Sequence, residues 1–390
     1  MNVLMLSDLY PPIVSGHARE VQLLSERLVK KNHGVTVCTI GSRSSPKFRI
    51  ENGVKVYRLE GIFQKIPFLY KNPERRYHPP IADWLIVNQL RRIIRREKPE
   101  IIHTHGWILY SVLPLRKKID IPLIATFHTF GFICPVRMSR IYAGGICTKP
   151  LTDNCIKCGR NNYGLVKSFF VYYGVKSNKI FESNAIIFTN PNLVEKMGHL
   201  DTPKIYLGHP IDTDYYKPIS SSNEYKNTIL CWVKLDESKG VETIFEVAER
   251  MPEYEFDFVF VGERKTHYKA IKPNNVNLIP KPKEIPRLIN KYPLILGQFH
   301  VGVLGLSELE AMSCGKPVIA YWNRKYDVLY ESPCPIVSSR NAEEITNLIR
   351  LNIQNEDLGR LNRAWILENH SATKIVGKLI AIYSNIARSH

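Results

Sequence analysis

The stretch 301–320 carries residue types and spacing that could bind an anion or a hydroxyl group. Three glycines, Gly302, Gly305 and Gly315, punctuate it, and a helical run lies between the last two. We expect this helix to begin near Ser307, where unpaired backbone amides and the helix dipole favour an anionic or hydroxyl-bearing ligand. An apolar strand follows directly.

Two carboxylates, Glu308 and Glu310, fall in the expected first turn of this helix. Carboxylates are electrostatically favoured at that end of a helix. They could accept hydrogen bonds from the hydroxyls of a ligand, or they could only stabilise the helix start. The stretch alone leaves both interpretations open.

Histidines mark the ends of two predicted strands, 101–105 and 123–126. His128 lies just past the second strand, where the active sites of parallel sheets collect, so it is the leading acid–base or polar-contact candidate among the 12 histidines. His103 sits mid-strand and is expected to be a buried structural partner. His105 lies between these two cases.

A cysteine cluster is the third group with recognisable chemistry. Its members are Cys134, Cys147, Cys155 and Cys158. Four thiolates in one segment suit a tetrahedral structural zinc, although an iron–sulfur cluster uses the same ligands and free thiols remain an alternative. Disulfides are disfavoured if the chain is cytosolic. Four cysteines leave no open coordination position, so we expect no catalytic metal.

Aromatic and basic residues are mixed in the segment 62–77, which includes Arg75 and Arg76. The predicted helix 84–96 ends in an arginine cluster that includes Arg91. Such a surface fits an interface with anionic lipid headgroups, or it is an ordinary solvated helix face with a loop. The common nucleic-acid recognition motifs are absent, so nucleic acid is not an expected partner.

Composition sets the class of protein to which these residues belong. The 390 residues are long enough for two domains, and 44% hydrophobic content is ordinary for a globular enzyme. The net charge of +18 indicates a polyanionic partner. The N-terminus lacks the pattern of a secretory signal, and no apolar run reaches the roughly 18 residues that span a bilayer. We therefore expect a cytoplasmic protein.

Two series of alternating strands and helices must position the candidate residues. The first begins with a β-α-β unit, in which Gly34 is expected to end the first helix, and lacks a Gly-x-Gly-x-x-Gly fingerprint. The second starts at 228–233. We predict domains at 1–200, with a cysteine-rich insertion at 134–158, and at 201–370. A long terminal helix occupies 371–390. The class is α/β, with two doubly wound domains facing across a cleft.

Taken together, the chain resembles the retaining glycosyltransferases of family 4, which have the GT-B fold of two Rossmann-like domains. The resemblance covers nearly the whole chain and rests on an ordered set of motifs. They are Pro11-Pro12 with Gly16, Lys31 to Val37, Lys98 to His105, Thr126-Phe127-His128, Gly208 to Asp212, Lys234 with Lys239-Gly240, and Glu310-Ala311-Met312 through Gly315 to Ile319. In the family, the terminal helix returns to the first domain.

The resemblance implies a role for each matching residue. Lys234 and Lys239 would hold the donor diphosphate and stabilise the departing charge, with Lys234 standing where the family more often has Arg. Gly16 would bring a backbone amide to the same diphosphate. Glu310 would bind the ribose hydroxyls, and His128 would lie near the transferred sugar. The glycines of the 301–320 loop, especially Gly305, would let amides approach the ligand.

One position departs from the family pattern. Gly302 replaces a second glutamate that usually contacts the donor sugar, so sugar recognition must be altered. Gln298 and Glu308 are candidates to replace it. Retaining transfer in this family needs no fixed carboxylate nucleophile, so the departure does not by itself remove activity.

These observations lead to one expected function and two alternatives. We expect transfer of a hexose-type sugar from a nucleotide-diphosphate sugar to a lipid-linked or glycan acceptor, at the inner face of an anionic membrane. His105, Arg75, Arg76 and Arg91 are the acceptor-side candidates. The alternatives are a GT-B nucleotide-sugar epimerase or hydrolase, and a non-catalytic, metal-stabilised protein that binds polyanions.

Overall fold

The computed structural model describes residues 1–390 except 42–44, 67–76, 138–146, 148–150, 178–181, 198–200, 220–224, 236–238 and 260–264. The chain forms two compact units. One comprises Met1–Pro210 together with Ile375–His390, and the other comprises Ile211–Lys374. The acceptor-side candidates Arg75 and Arg76 lie outside the described residues.

The first unit is built on a sheet of eight strands within the described residues, in the order β3-β4-β2-β1-β5-β6-β7-β8. All neighbouring strands are parallel except the edge pair β3 and β4. The strands are β1 Asn2–Ser7, β2 Gly34–Ile40, β3 Phe48–Glu51, β4 Val54–Leu59, β5 Ile101–His105, β6 Leu123–Phe127, β7 Ala185–Phe188 and β8 Lys204–Tyr206. The helices are α1 Gly16–Lys30, α2 Trp84–Glu97, α3 Leu109–Arg116, α4 Asn154–Tyr163, α5 Leu165–Lys176 and α6 Pro191–Lys196.

The second unit contains a smaller sheet of five described strands, all parallel, in the order β11-β10-β9-β12-β13. The strands are β9 Thr228–Cys231, β10 Glu255–Val259, β11 Val276–Ile279, β12 Ile295–Leu296 and β13 Val318–Ile319. The helices are α7 Val241–Glu249, α8 Lys265–Ile271, α9 Ile285–Lys291, α10 Leu306–Ser313, α11 Ala342–Asn352 and α12 Glu356–Asn369. The α/β class and the parallel, doubly wound sheets are confirmed.

Alternating side chains explain why helices cover both faces of the first sheet. Val3 and Met5 of β1 point to one core, while Leu4 and Leu6 point to the other. The first core includes the apolar face of α1 and the terminal helix α13, Ala372–Ser389. The second includes residues of α2, α3 and α5. Because both faces are buried, each strand reads as a nearly continuous apolar run.

The end of α1 differs from the sequence prediction. The helix was expected to end at Gly34 but stops at Lys30, and Asn32 takes a left-handed backbone conformation with φ 62°. Asn tolerates this conformation better than most residues because its short polar side chain can bond locally. Gly34 is instead the first residue of β2. The turn therefore lies two residues earlier than predicted.

No described helix combines the length and the apolar character required to cross a bilayer.

The terminal helix supplies a test of how the first unit is stabilised. Leu379 is fully buried in the core shared with β1 and α1. Leu379→Ala should lower the free energy of unfolding by about 2–5 kcal/mol, because it removes apolar contacts and leaves a cavity. Urea unfolding measures this change. Leu361→Ala, at a position 59% exposed, is the matched control and should change stability by less than about 0.5 kcal/mol. Equal effects of the two changes would contradict this packing.

Candidate functional site

The carboxyl ends of three neighbouring strands define the first group of polar residues. In the first unit, β1 ends at Ser7, β5 at His105 and β6 one residue before His128. Helix α1 begins beside them, and Nε2 of His17 in its first turn lies 3.1 Å from the Ser7 hydroxyl. The parallel order of the sheet thus gathers these side chains at one edge.

A chain of close contacts joins three histidines through one carboxylate. Nδ1 of His105 lies 2.9 Å from Nε2 of His128. The other ring nitrogen of His128 is 3.5 Å from Oε2 of Glu20, within ion-pair reach but outside hydrogen-bond geometry. The same oxygen lies 3.0 Å from Nδ1 of His209. Both nitrogens of His128 therefore face protein groups, which fixes the orientation of the ring and disfavours direct proton exchange with a ligand.

Glu20 is the electrostatic centre of this group. Glu20 is 3% exposed, and burial alone would raise the pKa of its carboxyl group. The neighbouring His128 and His209 outweigh burial and hold the Glu20 pKa below its ordinary value. A buried carboxylate of this kind is stable only when paired.

Two further histidines, His17 and His105, lie beside His128. Burial lowers the pKa of His105 and of His17 well below the ordinary value, and for His17 the adjacent His128 contributes in the same direction. Nε2 of His105 is buried without a hydrogen-bond partner among the described residues. By contrast, both ring nitrogens of His103 are satisfied, at 2.6 Å from the hydroxyls of Tyr383 and Thr126. His103 is structural, and His105 supports His128.

A second carboxylate lies at the end of β1. Asp8 accepts hydrogen bonds from the backbone amides of Trp107 and Ile108, at 3.1 and 2.8 Å. Burial raises the pKa of Asp8 to about 6, although the nearby Arg137 guanidinium and these amides oppose the rise. Gly106 makes the approach possible, because a Cβ there would meet Oδ2 of Asp8 at 2.7 Å and its φ is 103°.

In the second unit, one of the predicted donor-binding residues, Glu310, is hydrogen-bonded to Trp232. The indole Nε1 of Trp232, directly after β9, donates to Oε2 of Glu310 on α10 at 3.3 Å. Lys234 follows two residues later and is exposed. Glu310, which is 3% exposed, lies in the second turn of α10 rather than in the first turn as predicted. The Glu310 carboxylate is thus held at the carboxyl end of β9 by Trp232, the residue that follows this strand.

The backbone of Lys239 is hydrogen-bonded at the same end of the sheet. Its carbonyl accepts a hydrogen bond from the amide of Phe299 at 2.9 Å, and its residue is half-buried. Gly240 has φ 71°, and a Cβ there would meet the Phe299 backbone and side chain from 3.1 Å. Phe299 follows β12, which pairs with β9. The Lys239 backbone is therefore bonded to the chain that follows β12, the strand paired with β9.

Glu308 and Gln298 have structural roles. One carboxylate oxygen of Glu308 accepts from the Gln298 amide and the other from the Gly305 amide, each at 2.9 Å. The side-chain amide of Gln298 donates to the carbonyls of Val303 and Tyr321, and its oxygen accepts from two loop amides. Glu308 thus caps its own helix. Of the two interpretations offered for this carboxylate, the structure shows stabilisation of the helix start. The Gly305 amide is bonded to the Glu308 side chain, and the approach of loop amides to a ligand stays a prediction.

Gly302 adopts a conformation that no other residue type would fit well. Its φ is 72°, and a Cβ would lie 2.7 Å from a ring carbon of Tyr321. The carbonyl of Gly302 also accepts a hydrogen bond from the Asn323 amide. This glycine is therefore required by the loop.

The remaining predicted site residues are placed as follows. Gly16 is the first residue of α1, behind the capping residue Ser15, whose hydroxyl accepts from the Ala18 amide. Arg91 is half-buried on α2, with exposed arginines following it. His105 is fully buried, so as an acceptor-side residue it would act through His128.

The four cysteines lie in and beside a helical hairpin. Cys155 and Cys158 occupy one face of α4, three residues apart, rather than a loop. Burial raises the pKa of the Cys158 thiol, and the nearby thiols of Cys134, Cys155 and Cys147 add to the rise. None of the eight cysteines forms a disulfide. Yet among the described residues no three His, Cys, Asp or Glu side chains are arranged to hold a metal ion, so zinc stays a prediction.

Sequence reasoning missed several polar residues of the first unit. They are Asp8, His17, Glu20 and Arg137. Glu20 had a usable signal: it occupies a buried position beside Val21 and four residues before Leu24 on the apolar face of α1. A carboxylate at a core position needs a partner.

Comparison with known proteins agrees with this architecture. Residues 14–145 match the family model described as Glycosyltransferase Family 4, and residues 212–369 match Glycosyl transferases group 1. Sucrose-phosphate synthase from Thermosynechococcus elongatus superposes with a TM-score of 0.73 at 14% identity, with 100% of each chain covered. The fold and the matched regions define a GT-B glycosyltransferase. The chain belongs to glycosyltransferase family 4.

The match to two curated relatives covers only part of each relative's length. A Klebsiella pneumoniae protein described as an uncharacterized 42.6 kDa protein in the cps region is 28% identical over 217 residues, which cover 47% of this chain and 58% of that protein. One subunit of the human phosphatidylinositol N-acetylglucosaminyltransferase is 21% identical over 337 residues, covering 82% of this chain and 61% of the relative. The chain therefore spans less than two thirds of the length of either.

The Glu20 group generates a pH-dependent prediction. Glu20→Gln should lower the free energy of unfolding at pH 7 by about 1–3 kcal/mol, because a charged hydrogen-bond acceptor is lost from a buried site. The folded-state pKa lies below the unfolded value near 4.5, so the carboxylate's contribution is complete well above pH 4.5 and is lost as the pH falls below it. Urea unfolding between pH 7 and pH 4 measures the difference.

The exposed Glu246, whose side chain is 53% accessible, provides the control. Glu246→Gln should alter stability by less than about 0.5 kcal/mol at every pH. A Glu20→Gln deficit that does not shrink in acid would contradict the proposed electrostatics.

The metal prediction is checked by elemental analysis of purified protein. A structural zinc would appear as about one equivalent per chain and would be lost in the Cys155→Ser/Cys158→Ser double variant. Cys314→Ser, in the other unit, should retain it. Iron in place of zinc would indicate an iron–sulfur cluster, and the absence of both metals would leave free thiols.

Proposed function

We propose that the protein transfers a hexose-type sugar from a nucleotide-diphosphate sugar to a lipid-linked or membrane-surface acceptor, with retention of anomeric configuration. The observation that supports the proposal is the hydrogen bond from Trp232, the residue directly after β9, to Glu310, with Lys234 and Lys239 in the chain that follows the same strand. Open α/β sheets bind their ligands at the carboxyl ends of their strands. The unit concerned is the one matched by the glycosyl transferases group 1 model.

Each of these residues suits one part of the donor. The two ammonium groups would neutralise the diphosphate, which gains charge as the bond between it and the anomeric carbon breaks. Glu310 would accept hydrogen bonds from ribose hydroxyls, since a buried carboxylate acts only as an acceptor when ionised. The acceptor oxygen forms the new glycosidic bond, and its proton passes to the departing diphosphate. Lys234 provides a point charge here, without the bidentate geometry of arginine.

The first unit would serve the acceptor and the transferred sugar. His128 would contact the sugar, oriented by His105 on one ring nitrogen and by Glu20 near the other. A fixed orientation reduces the entropy lost when a ligand is placed for reaction. We assign His128 to polar contact and His105 and Glu20 to positioning.

A lipid-linked acceptor is supported by two independent observations. The human relative at 21% identity is named for transfer to phosphatidylinositol. In addition, the chain carries a net charge of +18, which favours anionic surfaces. We therefore propose peripheral association with the cytoplasmic face of a membrane.

A panel of nucleotide diphosphates and their sugars, measured by thermal shift, tests the donor part of the proposal. One nucleotide should stabilise the protein by about 2.7 kcal/mol at 100 times its dissociation constant. Lys234→Ala and Lys239→Ala should each weaken binding by about tenfold or more, because a hydrogen bond to a charged group is removed. Lys283→Ala, an exposed lysine of the same unit, is the matched control.

Transfer is then measured by incubating the stabilising sugar nucleotide with a lipid extract and determining the anomeric configuration of the product. Product formation that is lost in Lys234→Ala supports a transferase. Release of free sugar without a product would favour the hydrolase alternative. Absence of any nucleotide binding would contradict the proposal and favour a non-catalytic binding protein.

A further inference from the structure

Helix α5 exposes an unusually apolar outer face. Its exposed members are Leu165, Val166, Phe169, Phe170 and Tyr173, whose exposed fractions are 59%, 71%, 48%, 59% and 46%. Their spacing of one, three and four residues places them on one side of the helix. Contiguous apolar patches on soluble proteins mark protein or membrane interaction sites. We propose that this face is the element that enters an anionic lipid surface, an inference that rests on the proposed membrane-surface function.

The helix presents this face on a rigid support. Gly164, with φ 77°, joins α4 and α5, and a Cβ at Gly159 would lie 3.0 Å from the Ser168 hydroxyl, so the two helices pack closely. The Tyr172 hydroxyl donates to Asp153 at 2.8 Å across the hairpin. The opposite face of α5, which includes Val171 and Val175, is buried in the core of the first unit. The apolar outer residues are thus held outward by packing on the other side.

The charges around α5 favour lipid headgroups. The helix carries no acidic residue, and its two lysines, Lys167 and Lys176, lie 5.4 Å from the ring centres of Tyr163 and Tyr172 respectively. Aromatic and aliphatic side chains flanked by lysines are typical of helices that lie in the membrane interface, with their apolar face about 5–10 Å deep. The tyrosine and lysine side chains have polar ends that suit the headgroup level.

Helix α2 extends the surface toward the arginine cluster. Gly174 of α5 packs against Pro80, where a Cβ would meet the carbonyl oxygen at 2.5 Å. Pro80 stands four residues before Trp84, which begins α2 and is 59% exposed. Further along the same helix, Arg92 and Arg95 are exposed. Apolar insertion by α5 and Trp84 would therefore be accompanied by arginines able to reach phosphate groups.

A second copy of the chain is the competing occupant of this face. Self-association would bring the arginines and lysines of both copies together, which like-charge repulsion opposes. An anionic bilayer instead neutralises them, at roughly 1 kcal/mol per basic residue near the surface. Charge complementarity therefore favours the membrane.

Sedimentation with lipid vesicles tests the proposal directly. The probe is a vesicle of phosphatidylcholine with about one third phosphatidylglycerol, compared with pure phosphatidylcholine. We expect binding to the anionic vesicle, and a decrease of about tenfold or more in the partition coefficient for Phe169→Ser/Phe170→Ser. Arg92→Glu/Arg95→Glu should weaken binding only to the anionic vesicle.

The matched control removes equal apolar exposure elsewhere. Leu351→Ser/Leu361→Ser changes two leucines of the second unit that are 75% and 59% exposed, and it should leave vesicle binding unchanged. Equal loss in both double variants, or no loss in the α5 variant, would overturn the proposal. A wild-type dimer that the α5 variant converts to monomer, without vesicle binding, would assign the face to a second copy.

The vesicle-binding experiment tests the role of α5 independently of the proposed transferase activity. The vesicles contain no glycosyl acceptor, so binding does not depend on catalysis. Nucleotide stabilisation should be retained in Phe169→Ser/Phe170→Ser, because these residues lie outside the donor-binding unit. Loss of vesicle binding with intact nucleotide binding therefore identifies α5 as the membrane element, whereas intact vesicle binding without nucleotide binding refutes only the donor assignment.

Discussion

The buried Glu20 carboxylate is the interaction on which the polar edge of the first unit depends. It lies between His128 and His209, which come from segments of the chain far apart in sequence. Ionised carboxylates are rarely buried, and this one persists because two imidazoles face one oxygen. That pairing orients the His128 ring, and the contact between His128 and His105 orients the His105 ring in turn. Helix α1 therefore covers the sheet and also supplies the Glu20 carboxylate that His128 and His209 contact.

Most of the fold could be predicted because buried strands and helices show characteristic patterns of apolar residues in the sequence. Central strands such as β1 and β5 are apolar throughout, and turn residues separate them from amphipathic helices. Strand β3 was not predicted because it is short and lies at the exposed edge of the sheet, where its alternating apolar residues Phe48 and Ile50 mark no buried face. The local cap formed by Glu308 was one of two foreseen possibilities, and only tertiary contacts could choose between them.

The candidate site was predictable to the extent that its residues follow strands or occupy family motifs. Lys234 and Glu310 were found this way, but the link from Glu310 to Trp232 was not, because it joins positions 78 residues apart. Asp8 and Arg137 escaped detection for a related reason. Their significance comes from burial and from a salt bridge at 3.5 Å between two distant segments. Local patterns indicate which residues can do chemistry, and long-range contacts decide which of them meet.

The loop glycine at position 302 bears on how this chain could change over evolution. Introducing the glutamate that the family pattern implies would demand a left-handed backbone for an L side chain and would displace the Tyr321 ring. A single codon change is therefore insufficient, because the tyrosine would have to shrink and the loop would have to refold in concert. Change at this position is thus constrained by backbone geometry, and substitutions are expected at other positions of the loop first.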